Sequence, residues 1–230
     1  MTEFERIIAD NVARINAAIA AAAAAAGRRP EEVALMAVTK TRTIDEVRAV
    51  VAAGVRLLGE NRVQEAELKI GQFAGIACSW HLIGHLQRNK AARALQLFEV
   101  IQSVDSIRLV DELERRAQEA GKTVPIYLEV NTGGEETKTG TPVEESDALA
   151  ERAVAASHLR VEGLMTVGPL TAAAGVAAAF RSLRRRFETY RKVFGPDFNQ
   201  LSMGMTDDFE IAVAEGSTLV RIGRAIFGPR

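Results

Sequence analysis

The sequence is poor in cysteine, in net charge and in long apolar runs. Its single cysteine, Cys78, excludes an internal disulfide, so we expect a reducing, cytoplasmic location. The 29 basic residues are balanced by 30 acidic ones, which argues against a nucleic-acid partner. The first residues, MTEFERIIAD, lack the basic and apolar order of a signal peptide. The Ala-rich block NAAIAAAAAAAG is too short to span a bilayer, so no membrane association is expected.

Short β-rich apolar runs alternate with segments of helical spacing along the whole chain. The predicted strands are Val33–Thr39, Arg56–Gly59, Trp80–Ile83, Val100–Val104, Pro125–Asn131, Val161–Val167, Asn199–Met203 and Thr218–Ile222. Strands that alternate with helices form parallel sheets, because parallel neighbours need crossover connections. No Pro-, Gly- or Ser-rich linker divides the chain, which favours one domain over residues 1–230.

Eight such units are the number that closes a (β/α)8 TIM barrel, a fold of about 250 residues. An open doubly wound sheet is the alternative. That fold would be favoured by a Gly-rich dinucleotide turn after the first strand, and AVTKTRT is not such a turn. The pattern therefore favours an α/β protein built as a single barrel.

Helix boundaries also carry recognisable signals. Thr43 and Glu46 have capping-box spacing at the start of the helix that follows the first strand, and Gly54 stands past its end. After the seventh strand, Thr206 or Asp207 is expected to cap the next helix.

Lys40 ends the first predicted strand, a position that apolar residues normally occupy. At the mouth of a barrel, partial desolvation favours the neutral amine, which can form a Schiff base with an aldehyde. A solvated lysine that begins an ordinary loop is the alternative interpretation. The position alone does not decide between these two interpretations.

Two glycine turns follow the seventh and eighth strands, SMGMTDD with Gly204 and RIGR with Gly223. In TIM barrels the loops after these two strands commonly bind phosphate groups through backbone N–H groups. The alternative is that both glycines simply make tight turns. A lysine that can form a Schiff base with an aldehyde, placed opposite a phosphate site, indicates pyridoxal 5′-phosphate (PLP) as the cofactor.

The motifs AVTKTRT, LLGENRVQEAELKI, WHLIGHLQRNKA, VNTGGEETKTG, VEGLMTVG and LSMGMTDDFEIAVAEGSTLVRIGRAIFG follow one another along nearly the whole chain. In this order they resemble the pyridoxal phosphate homeostasis protein family. The resemblance implies a single barrel similar to the N-terminal domain of alanine racemase, the type III fold of PLP proteins. It also implies a protein that carries PLP as an internal aldimine and takes part in its intracellular homeostasis, without established catalytic turnover.

The resemblance further assigns roles to individual residues. Lys40 would carry the cofactor, Arg221 would face the pyridine nitrogen, and Asn61 and His81 would line the pocket. The phosphate would be held by Ser202 and by the backbones of Gly204, Gly223 and Arg224. Arg224 departs from the family pattern, in which a small Ser or Thr is frequent after RIG. This departure matters only if a hydroxyl contact is needed there.

Two functional classes remain as alternatives, a PLP carrier and a racemase-like enzyme. The alanine racemases that the barrel resembles use a second, β-rich domain to supply a catalytic tyrosine, and we expect no such domain here. An aldolase-type enzyme would need an acid–base pair beside Lys40, and none is identified. We therefore expect a non-catalytic PLP-binding monomer, with PLP-dependent apo-enzymes as possible recipients.

The remaining polar groups have plainer interpretations. His85 and His158 lie in no constellation with metal-ligand spacing, so no metal is expected. The basic run RSLRRRFETYRKVF is interpreted as a solvated helix face, with an RNA-binding patch as the alternative. Lys138, in a Gly- and Thr-rich loop, is a candidate second amine for the aldehyde.

Overall fold

The computed structural model of the protein describes residues 2–135 and 139–229, so Lys138 lies outside the described residues. Eight parallel strands form a closed barrel. They are β1 (Ala34–Val38), β2 (Leu57–Glu60), β3 (Ser79–Leu82), β4 (Val100–Val104), β5 (Val124–Asn131), β7 (Leu159–Met165), β8 (Gln200–Ser202) and β9 (Leu219–Ile222). Each pairs with the next strand in this order, and β9 pairs with β1 to close the sheet. The predicted barrel is confirmed, and all eight predicted strands are present.

One strand was not predicted. Two residues, β6 (Thr141–Pro142), pair with the end of β5 outside the barrel wall. The pairing joins Val130 to Thr141 and Asn131 to Pro142. A run of two residues, one of them proline, has no hydrophobic alternation from which it could be found.

Helices cover the outside of the barrel. They are α1 (Glu3–Ala25), α2 (Ile44–Ala52), α3 (Val63–Ile70), α4 (Ala91–Leu97), α5 (Ile107–Glu119), α6 (Ser146–Val154), α7 (Ala173–Phe194), α8 (Phe209–Ala214) and α9 (Arg224–Phe227). The predicted capping box of α2 is present. The Glu46 backbone N–H donates to the Thr43 hydroxyl at 3.2 Å, and the Thr43 backbone N–H donates to the Glu46 carboxylate at 2.6 Å.

The strands separate two apolar layers. Inside the barrel, Met36, Val100, Tyr127, Met165 and Leu219 pack against one another. A much larger layer lies between the strands and the helices. Because successive strand residues point to opposite faces, every second residue faces the barrel interior, which fixes the side chains that can reach a site at its mouth.

The helix α1 precedes the first strand and completes the outer ring. It packs against α2, α8 and α9, with Ile8, Val12, Ile15, Ile19 and Ala23 buried. The last helix, α9, is a single turn and lies against α1. By length and composition α1 could also cross a membrane, although a buried helix of a folded protein passes the same test.

Candidate functional site

Lys40 lies at the mouth of the barrel, two residues beyond the end of β1. Ala34 and Met36 pack in the barrel interior, and the alternation of the strand directs Val38 and Lys40 to the same side. Lys40 is half-buried and lines a cavity together with Val38. The alternation of β1, continued by two residues, thus places the Lys40 amine at the carboxyl end of the barrel, beside the cavity.

The cavity has a volume of about 580 Å³, within the range of small-molecule sites. It is bounded by the exits of β1, β8 and β9 and by the segment that follows α9. Its lining residues are Val38, Lys40, Arg42, Met205, Thr206, Asp207, Arg221, Gly223, Arg224, Gly228 and Pro229. Four of the eight predicted site residues, Lys40, Arg221, Gly223 and Arg224, therefore share one cavity wall.

The turn after β8 depends on Gly204, which has a φ of +97°. The Met205 N–H donates to the Asp208 carboxylate at 2.5 Å, and Asp208 is the N-cap residue of α8. The expectation that Thr206 or Asp207 caps this helix is wrong, because α8 begins at Phe209 and the residue before it is Asp208. Thr206 and Asp207 instead stand on the cavity wall.

The turn after β9 contacts the turn after β8. The Ala225 N–H donates to the Thr206 hydroxyl at 3.4 Å, and the Arg224 guanidinium forms an ion pair with Asp207. Both charged side chains are largely exposed, so the ion pair bridges the rim of the cavity. Arg224 also opens α9, and the first N–H groups of a helix have no acceptor inside that helix.

Arg221 projects from β9 beneath the cavity and is 3% exposed. Its guanidinium donates to the Ser202 hydroxyl and to the Thr166 carbonyl, both at 2.7 Å. Burial lowers the pKa of Arg221 to about 10, with the carboxyl groups of Glu129 and Asp208 opposing this shift. The guanidinium therefore remains a cation at neutral pH, and it has N–H groups left for a further acceptor.

A hydrogen-bonded chain continues from Arg221 across the barrel interior. The Ser202 hydroxyl donates to Gln102 Oε1 at 2.7 Å, and Gln102 Nε2 lies 2.8 Å from His81 Nδ1. Since an amide nitrogen only donates, His81 Nδ1 accepts, and Nε2 donates to the Ser79 hydroxyl at 3.1 Å. Burial lowers the pKa of His81 to about 4, so the ring is neutral.

The predicted cofactor contacts of His81, Ser202 and Gly204 stay predictions, and the structure gives the position of each residue. None of the three is among the residues that line the cavity. His81 and Ser202 lie deeper, where every polar atom named above has a partner, and Gly204 shapes the backbone behind the wall. Gln102 could have been identified from the alternation of β4, because it faces the barrel interior. Its hydrogen-bond partners, however, depend on the register between the strands.

Asn61 and Glu129 continue the alternation of β2 and β5, respectively, on the side that faces the barrel interior. The Asn61 side-chain oxygen and Glu129 Oε2 are buried, and neither has a hydrogen-bond partner among the described residues. The Thr139 hydroxyl donates to the other Glu129 oxygen at 2.6 Å. Burial raises the pKa of Glu129 to about 7. Glu129 was not predicted, because nothing in the LEVN sequence shows that this carboxyl group is enclosed.

Within the described ranges, 2–135 and 139–229, no cluster of three His, Cys, Asp or Glu side chains is arranged to hold a metal ion. A second cavity, of about 530 Å³, lies on the outer surface beside α7. Its wall includes Asp147, Arg181, Arg185 and Tyr190, and it lies away from the strand ends.

Comparison with known proteins identifies the class to which this barrel and its site belong. The family described as "Alanine racemase, N-terminal domain" matches residues 11–230. An alanine racemase from Corynebacterium glutamicum superposes with a TM-score of 0.74 over 98% of this chain and 61% of its own. At 16% identity, that likeness concerns the fold alone.

Nearer relatives narrow the class. A pyridoxal phosphate homeostasis protein from Pseudomonas aeruginosa is 41% identical over 97% of this chain and 96% of its own length. The structure of PipY from Synechococcus elongatus, with PLP bound, is 34% identical, with a TM-score of 0.80 over 96% of this chain and all of its own. The chain belongs to the pyridoxal phosphate homeostasis protein family.

Proposed function

We propose that this protein binds PLP in the cavity at the mouth of the barrel and takes part in the intracellular homeostasis of that cofactor. One observation carries the proposal. A lysine amine, a buried guanidinium and two backbone turns border the same cavity, of about 580 Å³. The name of the relatives and the PLP bound in PipY support this choice of cofactor.

The residues present fit the chemical groups of PLP. The cofactor supplies an aldehyde, whose carbon forms a C=N bond to a lysine nitrogen with loss of water. Lys40 would provide that nitrogen. The backbones of Gly223 and Arg224, and the Thr206 hydroxyl rather than that of Ser202, would donate to the phosphate, because these groups border the cavity. Ser202 and Gly204 would support the site from behind.

Arg221 would meet the ring nitrogen. A guanidinium carries only donors and stays charged at neutral pH, so it holds a proton towards that nitrogen without delivering it. Asn61, whose side-chain oxygen has no partner among the residues that the structure describes, would complete the pocket on the β2 side. His81 would act indirectly, through Gln102 and Ser202, by fixing the Arg221 side chain.

Reductive trapping tests the assignment of Lys40. Purified protein treated with PLP and borohydride should gain one modification, found by mass spectrometry on the peptide that contains Lys40. Lys40→Ala should lose the modification and the near-violet absorption, while Lys192→Ala, at an exposed position of α7, should keep both. An undiminished yield on Lys138 in Lys40→Ala would overturn the assignment of a single lysine.

The homeostatic role proposed here is storage and supply in the cytoplasm by a monomer. The protein would keep the free aldehyde low and release PLP to apo-enzymes that depend on it. Sedimentation should give a single species of 24.9 kDa. An apo-enzyme should regain activity faster from the PLP-loaded protein than from the same total of PLP held by a non-specific amine carrier. Equal rates would count against direct supply.

We further propose that the protein performs no turnover of amino acids, rather than racemase-like chemistry. The chain has two tyrosines. Tyr127 is buried in the barrel against His81, and burial raises its pKa. Tyr190 lies on α7, where its hydroxyl donates to Asp147 at 2.6 Å. Neither borders the cavity, so neither is placed to move a proton there.

Isotope exchange tests the absence of turnover. The loaded protein, kept with L-alanine in deuterated water, should incorporate no α-deuterium and form no D-alanine at catalytic rates. Exchange at about 1 per second or faster that disappears in Lys40→Ala would establish an enzyme.

A further inference from the structure

The GENRVQEAELKI segment contributes three charged side chains that support the backbone on either side of Lys40, two of them by direct contact and the third through the Thr39 hydroxyl and the Lys69 amine. Glu60 ends β2, whereas Glu65 and Lys69 lie on α3. We refer to Glu60, Glu65 and Lys69 together as the Lys40 brace. None of them lines the cavity.

Two members of the brace hold the peptide group that precedes Lys40. The Lys69 amine donates to the Thr39 carbonyl at 2.6 Å and to Glu60 Oε1 at 2.7 Å. The Thr39 hydroxyl donates to the same carboxylate oxygen at 2.6 Å. Thr39 and Glu60 have no exposed surface, and Lys69 is 8% exposed. The carbonyl group of the peptide bond between Thr39 and Lys40 therefore accepts a hydrogen bond from a lysine that is itself part of a buried ion pair.

The third member holds the residue that follows Lys40. Thr41 has a φ of +62° and is the only non-glycine residue with positive φ in the described part of the chain. Its N–H donates to Glu65 Oε2 at 3.0 Å. A β-branched residue adopts this conformation only where its surroundings hold it there. The chain therefore turns at Thr41 with support from α3.

A buried ion pair is an unfavourable way to fill space, because both charges lose their water, and apolar side chains of similar size often stabilise a fold more. What the pair provides is a defined orientation of the groups it binds, because the Lys69 amine donates to particular acceptors. Here the fixed acceptor is the carbonyl next to the lysine at the cavity. Strain at Thr41 on the other side fits the same purpose, because strained backbone is often found at functional sites.

We propose that the Lys40 brace aims the Lys40 amine into the cavity, so that Glu60, Glu65 and Lys69 are positioning residues for capture of the PLP aldehyde. This inference rests on the function proposed above. A brace that only stabilised the junction of β2 and α3 would have no particular effect on the reactivity of Lys40. The two roles therefore separate in measurements of the amine and of the phosphate site.

Two variants remove the brace in different ways. The double variant Glu60→Gln with Lys69→Met removes both buried charges and so leaves neither unpaired. Glu65→Ala removes the acceptor of the Thr41 N–H and leaves the buried pair intact. Lys122→Met is the matched control, because the Lys122 amine also donates to a backbone carbonyl, that of Leu95, at the opposite end of the barrel.

The first readout compares two ligands. The rate of the borohydride-trapped adduct on Lys40 should fall by about ten- to a hundredfold in both brace variants, as expected for a misplaced reactive group. The affinity for inorganic phosphate, measured by calorimetry, should stay within about twofold, because the turns that bind it lie elsewhere. The control should change in neither measurement. An unchanged rate, or a rate that falls only in step with phosphate affinity, would overturn the proposal.

The second readout needs no PLP. In cofactor-free protein, acetylation of Lys40 by acetic anhydride should be slower than that of the exposed Lys192. Loss of the brace should bring the two rates together, because the amine then reaches solvent. Unchanged labelling of Lys40 in both variants would contradict the brace proposal. Failure of the wild-type protein to form a PLP adduct would instead refute the proposed function, and the labelling experiment would still test the brace. If the double variant does not fold, Glu65→Ala decides both readouts.

Discussion

Glu129 retains a proton that an exposed glutamate would lose. Burial raises its pKa to about 7. Between about pH 4.5 and 7 the unfolded chain releases this proton and the folded protein keeps it, so the contribution of Glu129 to the free energy of unfolding falls as pH rises. Above this window the folded protein contains a buried carboxylate, one of whose oxygens has no partner among the described residues.

Glu129→Gln removes this pH dependence and keeps an oxygen for the Thr139 hydroxyl. We expect the variant to gain stability relative to wild type from pH 4.5 to 7, reaching about 2–3 kcal/mol by pH 8. Urea unfolding at a series of pH values measures the difference. Glu99→Gln, at an exposed position, reports the effect of the same substitution at the surface. Parallel curves for Glu129→Gln and wild type would show that Glu129 ionises normally.

Arg224 tests whether its side chain or its backbone matters to the cavity. The side chain forms an exposed ion pair with Asp207, and such pairs contribute about 0–1 kcal/mol. Arg224→Ser keeps the backbone N–H, so PLP affinity should change by less than about fivefold. Calorimetric titration measures it. A loss of about a hundredfold would mean that the guanidinium itself neutralises the phosphate.

The element scale is illustrated by the link between β8 and α8. An added methyl group at Gly204 would come within 2.6 Å of Ala212 Cβ and 3.0 Å of Phe209 Cα, and its φ of +97° is unfavourable for alanine. Gly204→Ala should lower the free energy of unfolding by about 2–4 kcal/mol, through strain and overpacking. Denaturant unfolding provides the measurement.

Gly27→Ala is the matched control for Gly204→Ala. Gly27 also has a positive φ, of +68°, but nothing lies within 4 Å of an added methyl group. It should lose about 1 kcal/mol, the part due to the backbone alone. Equal losses in the two variants would show that α8 moves away without penalty.

The sequence predicts elements better than it predicts their ends. Apolar runs located all eight barrel strands, because each strand is buried on both faces and reads as a continuous run. The cap of α8 was misplaced because Thr206, Asp207 and Asp208 are all acceptable N-cap residues. Which of them caps the helix depends on the Gly204 turn and on the Met205 N–H that Asp208 accepts.

At the scale of the whole molecule, the hydrogen bonds that run from Ser79 to Thr166 through Gln102 connect four strands, β3, β4, β8 and β9, and the residue that follows β7. Gln102→Leu would remove the donor to His81 Nδ1 and the acceptor of the Ser202 hydroxyl proton, although the Ser202 oxygen would still accept from Arg221. We expect a loss of about 2–4 kcal/mol in the free energy of unfolding. Gln96→Leu on α4 is the control, because Gln96 is exposed and accepts a hydrogen bond from the exposed Arg93. Similar losses in the two variants would deny the interior chain a role in stability.

The same chain explains which part of the site was predictable. Lys40 and Gly223 were singled out from a strand end and a glycine turn, which are local features of the sequence, whereas Arg221 was assigned by the family resemblance. His81 and Ser202 were expected at the cavity, yet their partners come from strands far apart in sequence, and the Ser202–Gln102 bond joins residues 100 positions apart. Such pairings depend on how the barrel closes, which no local pattern records.

The seam between β9 and β1 also determines when the site exists. It joins opposite ends of the described chain, as the bond from the Asn11 amide to the Ile226 carbonyl, 215 residues apart, illustrates. During translation, Lys40 therefore emerges from the ribosome long before Arg221 and the Gly223 turn. During synthesis the amine is present without the turns that we propose bind the phosphate, so we expect aldehyde capture only in the finished barrel. Nascent chains stalled before Leu219 should give no trapped PLP adduct on Lys40, whereas released chains should.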